Sequence, residues 1–272
     1  PISVALAAGN TVTVGISPDG MVSIGVDEAT ANAMGLQDQI KNSGSITADG
    51  GKVVLNAQAV DGLFEKAIHL EKNANAVSVV RADDGTIEFQ SMDDIYNEAI
   101  IQAMNGQIKI DTARGTGNEE RDIEPNPTSG VGSVINAGTM DATGGSIEID
   151  AGTGSVVNEG TIKAEVLRES GYTFHTSGYL GVSRAYFDNI DLAATLSGTI
   201  EGGEYFDENY SFLGDVTFLG EVILNATGSF SDGSEPNHVT LGGNTVFNAD
   251  SDGDGMGYFW LGQDYDLITG NG

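Results

Sequence analysis

The run Asp250-Ser251-Asp252-Gly253-Asp254-Gly255 carries the sharpest chemistry in the sequence. Its D-x-D-x-D-G spacing turns alternate carboxylates toward one centre, and the glycine allows the tight turn, as in calcium loops. Asp250, Asp252 and Asp254 are therefore the candidate metal ligands, and calcium the candidate cofactor. Such a loop closes with a bidentate acid at position 12. Here that position holds Leu261, and Asp264, a little further on, is a weak substitute. The competing reading is a solvated acidic turn. No catalytic residue is assigned. Paired carboxylates can hydrolyse glycosides at a set separation, but with 40 acids some pair meets that spacing by chance. His69, His175 and His238 lie far apart without ligand spacing. No Ser-His-Asp pattern, phosphate loop or basic patch is present. Asn209-Tyr210-Ser211 and Asn225-Ala226-Thr227 have the form of glycosylation acceptors. The aromatics near Tyr205–Phe212 can stack on sugars if they point outward, although core packing is the commoner use.

Composition narrows the partners. The chain has 272 residues, with 40 acidic and 11 basic residues and a formal net charge of -29. A surface this negative repels nucleic-acid phosphates and anionic headgroups. Most of the charge reads as a solvated face. No cysteine is present, so thiol, disulfide and zinc-thiolate chemistry are excluded. No window holds 18 apolar residues, the length of a membrane-spanning helix. The 39 glycines are roughly twice the usual ~7% share, without a collagen period. That pattern suggests many tight corners.

Those corners belong to a repeat. Residues 42–55 and 136–149 share the frame Asn-x-Gly-Ser/Thr-apolar-x-Ala-x-Gly-Gly-x-apolar-x-apolar. Its first half returns at Asn158-Glu159-Gly160-Thr161-Ile162-Lys163-Ala164. A shorter unit, Gly-x-apolar-x-apolar, stands at Gly85–Phe89, at Gly106–Ile110, and more weakly near Gly198, Gly214 and Gly243. Strict alternation after a glycine marks a strand with one buried face, and one such strand cannot hide that face alone. The fold class expected is all-β, a right-handed parallel β-helix with coils of about 21–22 residues. Ile87 should stack on Ile108, and Ile135 and Met140 on Val157 and Ile162, as ladders inside the tube. Roughly a dozen coils at about 4.8 Å each would give a rod of about 60 Å. Asn42, Asn136 and Asn158 are expected at corners, where asparagine tolerates left-handed backbone, and stacked asparagines can bond up a ladder.

The frame is interrupted. Insertions are expected near 57–71, 91–104 and 114–133. In the second, Asp93, Asp94, Ile95, Ile100, Ile101 and Met104 suit a short amphipathic helix capped by Ser91. The third, with Pro125 and Pro127, reads as an exposed loop. Residues 1–165 form the regular part, and 166–272 read as a looser continuation of the same solenoid, rich in aromatics.

Residues 3–90 resemble the filamentous-haemagglutinin family of two-partner secretion. The stretches that carry the resemblance are Val4–Val14 (VALAAGNTVTV), Asp19–Asp27 (DGMVSIGVD) and Ile40–Leu55 (IKNSGSITADGGKVVL). The resemblance is close over the first third, one of style at 134–165, and absent from the last hundred residues. It implies a protein exported across the outer membrane of a Gram-negative bacterium by a dedicated β-barrel transporter and folded outside the cell. It also implies an adhesin, toxin or surface fibre.

The expected function is a secreted, cell-surface structural or adhesive fibre protein rather than an enzyme. Ile2-Ser3-Val4 and Tyr265–Ile268 would leave strand edges open, and end-to-end self-association into a filament would bury them. A host or surface glycan is the outside ligand considered. The alternatives are a polysaccharide-active β-helix enzyme, which needs convergent acids beside Lys or Arg in a lateral groove, and a calcium-dependent surface-layer component.

Overall fold

The computed structural model describes residues 2–18, 22–59, 63–73, 76–112, 132–190, 193–232, 238–259 and 266–269. The chain winds as a parallel β-helix, with one sheet of 23 strands running through it. Each coil has three strand positions. The first face begins with Asp38–Asn42, Lys66–Leu70, Ile95–Asn97, Val134–Asn136, Val156–Asn158 and Phe174–Thr176. The second begins with Ser45–Thr47, Val79–Arg81 and Ile100–Gln102, then continues along the opening residues of Thr139–Asp150, Thr161–Gly171 and Tyr179–Asn189. The third starts with Ser3–Ala8, Lys52–Ala57, Thr86–Ser91 and Gln107–Asp111. It runs on through the closing residues of Thr139–Asp150, Thr161–Gly171, Tyr179–Asn189, Ala194–Asp207 and Tyr210–Ala226, and ends at Thr245–Ala249. Among the described residues these ten rungs make a rod of about 45 Å, shorter than expected because three coils, Ser3 to Lys52, Lys52 to Thr86 and Gln107 to Ser146, are much longer than the repeat.

Coil length varies. Successive rungs are 34 residues apart at Asn56 and Gln90, 21 at Asp84 and Asn105, and 39 at Asn97 and Asn136. They are then 22 apart at Asn136 and Asn158, 18 at Asn158 and Thr176, and 23 at Asn225 and Asn248. The expected pairs form: Ile87 with Ile108, Ile135 with Val157, and Met140 with Ile162. Ile87, Ile108, Met140 and Ile162 are fully buried. Ile135 is not. In its three-residue strand Val134 and Asn136 point inward, so the Ile135 and Val157 pair lies outside the tube and Val134 with Val156 inside it.

The helix expected at 91–104 is absent, and no helix occurs among the described residues. Ile95–Asn97 and Ile100–Gln102 are strands on two faces, with buried Ala99 at the corner between them. Ser91 makes a turn, its hydroxyl donating to the Asp93 carbonyl at 2.7 Å and accepting from the Asp93 amide at 2.9 Å. The insertion expected over 57–71 is also corrected. Lys66–Leu70 is a core rung with Ala67, Ile68 and Leu70 fully buried, and the excursion is the antiparallel pair Lys72–Asn73 and Ala76–Val77. A second antiparallel hairpin, Thr11–Ile16 with Val22–Glu28, leaves the first coil. The loop expected at 114–133 falls on residues outside the described set, apart from Gly132 and Ser133. Strand Thr161–Gly171 runs unbroken through residues 165 and 166. No helix of the described residues is long and apolar enough to cross a membrane.

Gly106 shows what the repeated glycine does. Asn105 stands in left-handed backbone with φ 54°, the corner turns, and Gly106 lies directly against the previous coil. A Cβ there would stand 2.3 Å from the Gly85 carbonyl oxygen, which accepts a hydrogen bond from the Gln107 amide at 2.9 Å. The clash is with backbone held in a ladder, so no side chain can yield. Gly106→Ala is expected to destabilise by about 3 kcal/mol or more, read from urea denaturation. Gly50→Asn is the control. Gly50 has φ 65° and open space around it, and asparagine already serves at the equivalent Asn105, so the change should stay below about 1 kcal/mol.

Candidate functional site

The three candidate calcium ligands converge. The carboxylates of Asp250, Asp252 and Asp254 lie within 4.8 Å of one another, in a loop whose Asp250, Gly253 and Gly255 all have positive φ. The same carboxylates already serve the turn: Gly255 N donates to Asp250 Oδ1 at 3.0 Å, and Met256 N to Asp254 Oδ1 at 2.8 Å. Asp252 and Asp254 are exposed. Leu261 and Asp264 lie outside the described residues. Three carboxylates can hold calcium, but open coordination limits affinity to the weak extracellular range of roughly 10⁻⁴–10⁻³ M at best. A calcium titration followed by melting temperature, with Asp252→Asn/Asp254→Asn as control, is expected to show no response below about 0.1 mM.

The histidines do not come together. His238 pairs with Asp215 at the surface, 3.0 Å away. His69, 7% exposed, is held between coils, with Nδ1 2.9 Å from Asp38 Oδ2 and Nε2 3.2 Å from Glu98 Oε2. The edge of the Tyr96 ring closes this group, 5.6 Å between centroids. Held by Asp38 and Glu98, it reads as a clamp between three rungs. The formal glycosylation acceptors are used internally. Asn209 Oδ1 accepts from the Ser229 amide at 2.8 Å, and Asn225 is buried with its Oδ1 bonded to Asn248. Of the aromatics near 205–212, Tyr205, Tyr210 and Phe212 are fully buried. Only Phe206 turns outward, stacked on Tyr186 at 5.1 Å, with the Arg168 guanidinium 4.6 Å from the other ring.

An open cleft of about 320 Å³ lies on the second face, where four coils pass. Register builds it. Gly181 pairs with Lys163 on one side, and Leu180 with Ile200 on the other, which sets Glu201 beside it. Because Gly181 has no side chain, the Tyr179 ring lies over its backbone, and a Cβ there would stand 2.7 Å from Tyr179 Cε1. The Tyr179 hydroxyl donates to Glu201 Oε2. Partial burial and that carboxylate push the phenol up to about 12. Lys163 Nζ stands 5.4 Å from the ring centroid. On the far wall Ser183 Oγ donates to Glu165 Oε2 at 3.1 Å. Comparison with known proteins finds no matching family model, no matching curated protein and no matching solved structure. The cleft therefore has to be read on its own chemistry: one flat aromatic, two exposed carboxylates, the hydroxyls of Thr143 and Ser183, and one ammonium.

Sequence reasoning missed this group. Its members come from four coils, and only the alignment of Thr161-Ile162-Lys163-Ala164 with Tyr179-Leu180-Gly181-Val182 could have found it. It also missed two acids inside the tube. Glu169 is 3% exposed and lies in register between Ile149 and Phe187. Neither of its carboxylate oxygens has a hydrogen-bond partner among the described residues. Burial, then the charges of Asp207, Asp188 and Asp150, push its carboxyl well above the usual range. Asp207, 7% exposed, accepts from the amides of Ala194 and Glu208, the latter at 2.8 Å. Burial still raises it to about 7.

Proposed function

We propose that this chain is a rigid structural element of an extracellular, adhesive surface fibre of a Gram-negative bacterium, exported through an outer-membrane β-barrel partner. The observation that carries the reading is the three-faced parallel ladder itself, whose interior is used for packing from coil to coil. Such a rod is quasi-one-dimensional and bears load along its axis. The resemblance of residues 3–90 to the filamentous-haemagglutinin family supports the compartment and export route, and the net charge of -29 suits a surface that must stay soluble. A parallel ladder of this kind continues from one copy to the next when copies stack end to end, which suits association into filaments.

The polysaccharide-active alternative is less well supported. The cleft does place Glu165 and Glu201 near Lys163, but both glutamates are exposed, whereas a general acid needs a sheltered carboxyl held in its protonated form. Negative-stain electron microscopy of the purified chain tests the proposal. Filaments of uniform width that lengthen with concentration are expected. Isolated rods of about 45 Å at every concentration would remove the end-to-end part, and a turnover signal on a polysaccharide panel would remove the structural reading altogether.

A further inference from the structure

We infer that the cleft around Tyr179 is a binding subsite for a single neutral hexopyranose ring, stacked on the tyrosine. This rests on the adhesive reading above and names the ligand class that reading leaves open.

The geometry of the aromatic comes first. A tyrosine on a strand normally stands up from the sheet. Tyr179 instead lies over the bare backbone of Gly181, and its hydroxyl is tied to Glu201 on the next coil. Both ends of the side chain are held, so the ring is a fixed platform and stacking costs little conformational freedom. A pyranose presents a patch of C–H groups on one face, which suits an aromatic body with a polar tip. The volume, about 320 Å³, lies at the small end of ligand clefts and fits one ring with part of a second.

The polar groups select the class. A neutral sugar offers hydroxyl donors around its rim, and ionised carboxylates accept only. Glu165 and Glu201 are placed on opposite sides of the platform for that role, and Ser183 can exchange hydrogen bonds with either partner. Two carboxylates against one lysine leave the cleft negative, within a chain of net charge -29. Uronic, sialic or sulfated sugars would meet like charge. Lys163 sits at the long end of the cation–π range, so an incoming ring displaces little.

Saturation-transfer difference NMR on the full chain tests this. The probes are methyl β-galactoside, methyl β-glucoside and N-acetylglucosamine against glucuronate and N-acetylneuraminate. Transfer to at least one neutral probe is expected, with a dissociation constant on the order of 1 mM as befits a single-ring site, and little transfer to the acidic probes. Tyr179→Ala should cut the signal at least about fivefold, and Tyr179→Phe should keep most of it. Tyr172→Ala, at an exposed aromatic that does not line the cleft, should change nothing. Glu201→Gln should weaken the neutral probes and admit glucuronate, and it serves if Tyr179→Ala fails to fold. Equal binding of acidic and neutral probes, transfer that survives Tyr179→Ala in a folded chain, or no transfer to any neutral probe would overturn the proposal. Filament formation by Tyr179→Ala, followed separately, distinguishes failure of the cleft from failure of the fibre reading.

Discussion

Asn136→Ala is expected to destabilise the protein by about 3–5 kcal/mol, the sum of two or three orphaned buried polar groups. Asn97, Asn136 and Asn158 stack on successive rungs of the first face, each 1% exposed or less. Asn97 Nδ2 donates to Asn136 Oδ1 at 2.7 Å, Asn136 Nδ2 to Asn158 Oδ1 at 2.8 Å, and Asn158 Nδ2 to Thr176 Oγ1 at 3.0 Å. Asn97 also serves the corner that follows it, and the other two reach the backbone of the next coil. Asn97 Oδ1 accepts from Ala99 N at 2.9 Å, while Asn136 and Asn158 donate to the carbonyls of Thr161 and Tyr179. Removing the middle amide strands Asn97 Nδ2, Asn158 Oδ1 and the Thr161 carbonyl together. Asn136→Leu fills the space but leaves the same three groups unpaired, so it should not rescue. Asn158→Thr should cost less, since Thr176 already makes a workable rung. Urea midpoints of the four proteins check the order: wild type, Asn158→Thr, then Asn136→Leu and Asn136→Ala. An Asn136→Leu protein as stable as wild type would show that the ladder contributes nothing beyond volume.

That ladder also marks how far the residues alone could lead. Glycine corners followed by alternation fixed the coil and the register of Ile87 with Ile108, because backbone must close on backbone wherever Gly85 and Gly106 stack. The same rule misplaced Ile135. In a three-residue strand only two side chains face inward, and hydrophobicity alone picks the isoleucine. The Asn136 amide wins because its hydrogen bonds to Asn97, Asn158 and Thr161 exist only inside. The helix expected at 91–104 failed for a related reason. Two strands of three residues separated by a corner put Ile95 and Ala99 inward four residues apart, a spacing that mimics a helical stripe, and a single sequence holds nothing to separate the two. The three aspartates of the calcium-like loop are local and were legible. Tyr179, Gly181 and Glu201 were not, because coils of changing length move their contact spacing from one rung to the next.

Glu169→Gln is expected to stabilise the protein in mild alkali and leave it nearly unchanged in mild acid. Glu169 and Asp207 occupy one inward column, two coils apart with Phe187 between them, and Tyr210 is buried beside Asp207. Asn189, buried nearby, favours the charged form of Asp207 but makes no well-shaped hydrogen bond with it. Burial raises both carboxyls above their unfolded values, so the unfolded chain releases protons first as pH rises. Their contribution is therefore full below about pH 4, the unfolded carboxylate range. For Asp207 it is lost as pH climbs through its folded value of about 7. For Glu169, raised well above the usual range by burial and then by the charges of Asp207, Asp188 and Asp150, the loss has the same sign. A shift of the size seen at Asp207 corresponds to roughly 4 kcal/mol, or about 8–15 °C of melting temperature in a chain of this size. General repulsion among 40 acids acts in the same direction, so the wild-type profile alone cannot separate the two effects. The variant can. Glu169→Gln removes one charge among many, which barely alters general repulsion, yet it removes an unpartnered carboxylate from the core. Melting temperatures of wild type and Glu169→Gln should coincide near pH 4 and diverge by several degrees at pH 8, with Glu169→Leu diverging further because its neighbours Ile149 and Phe187 are apolar. Parallel profiles across that range would mean that the surface acids alone set the pH response.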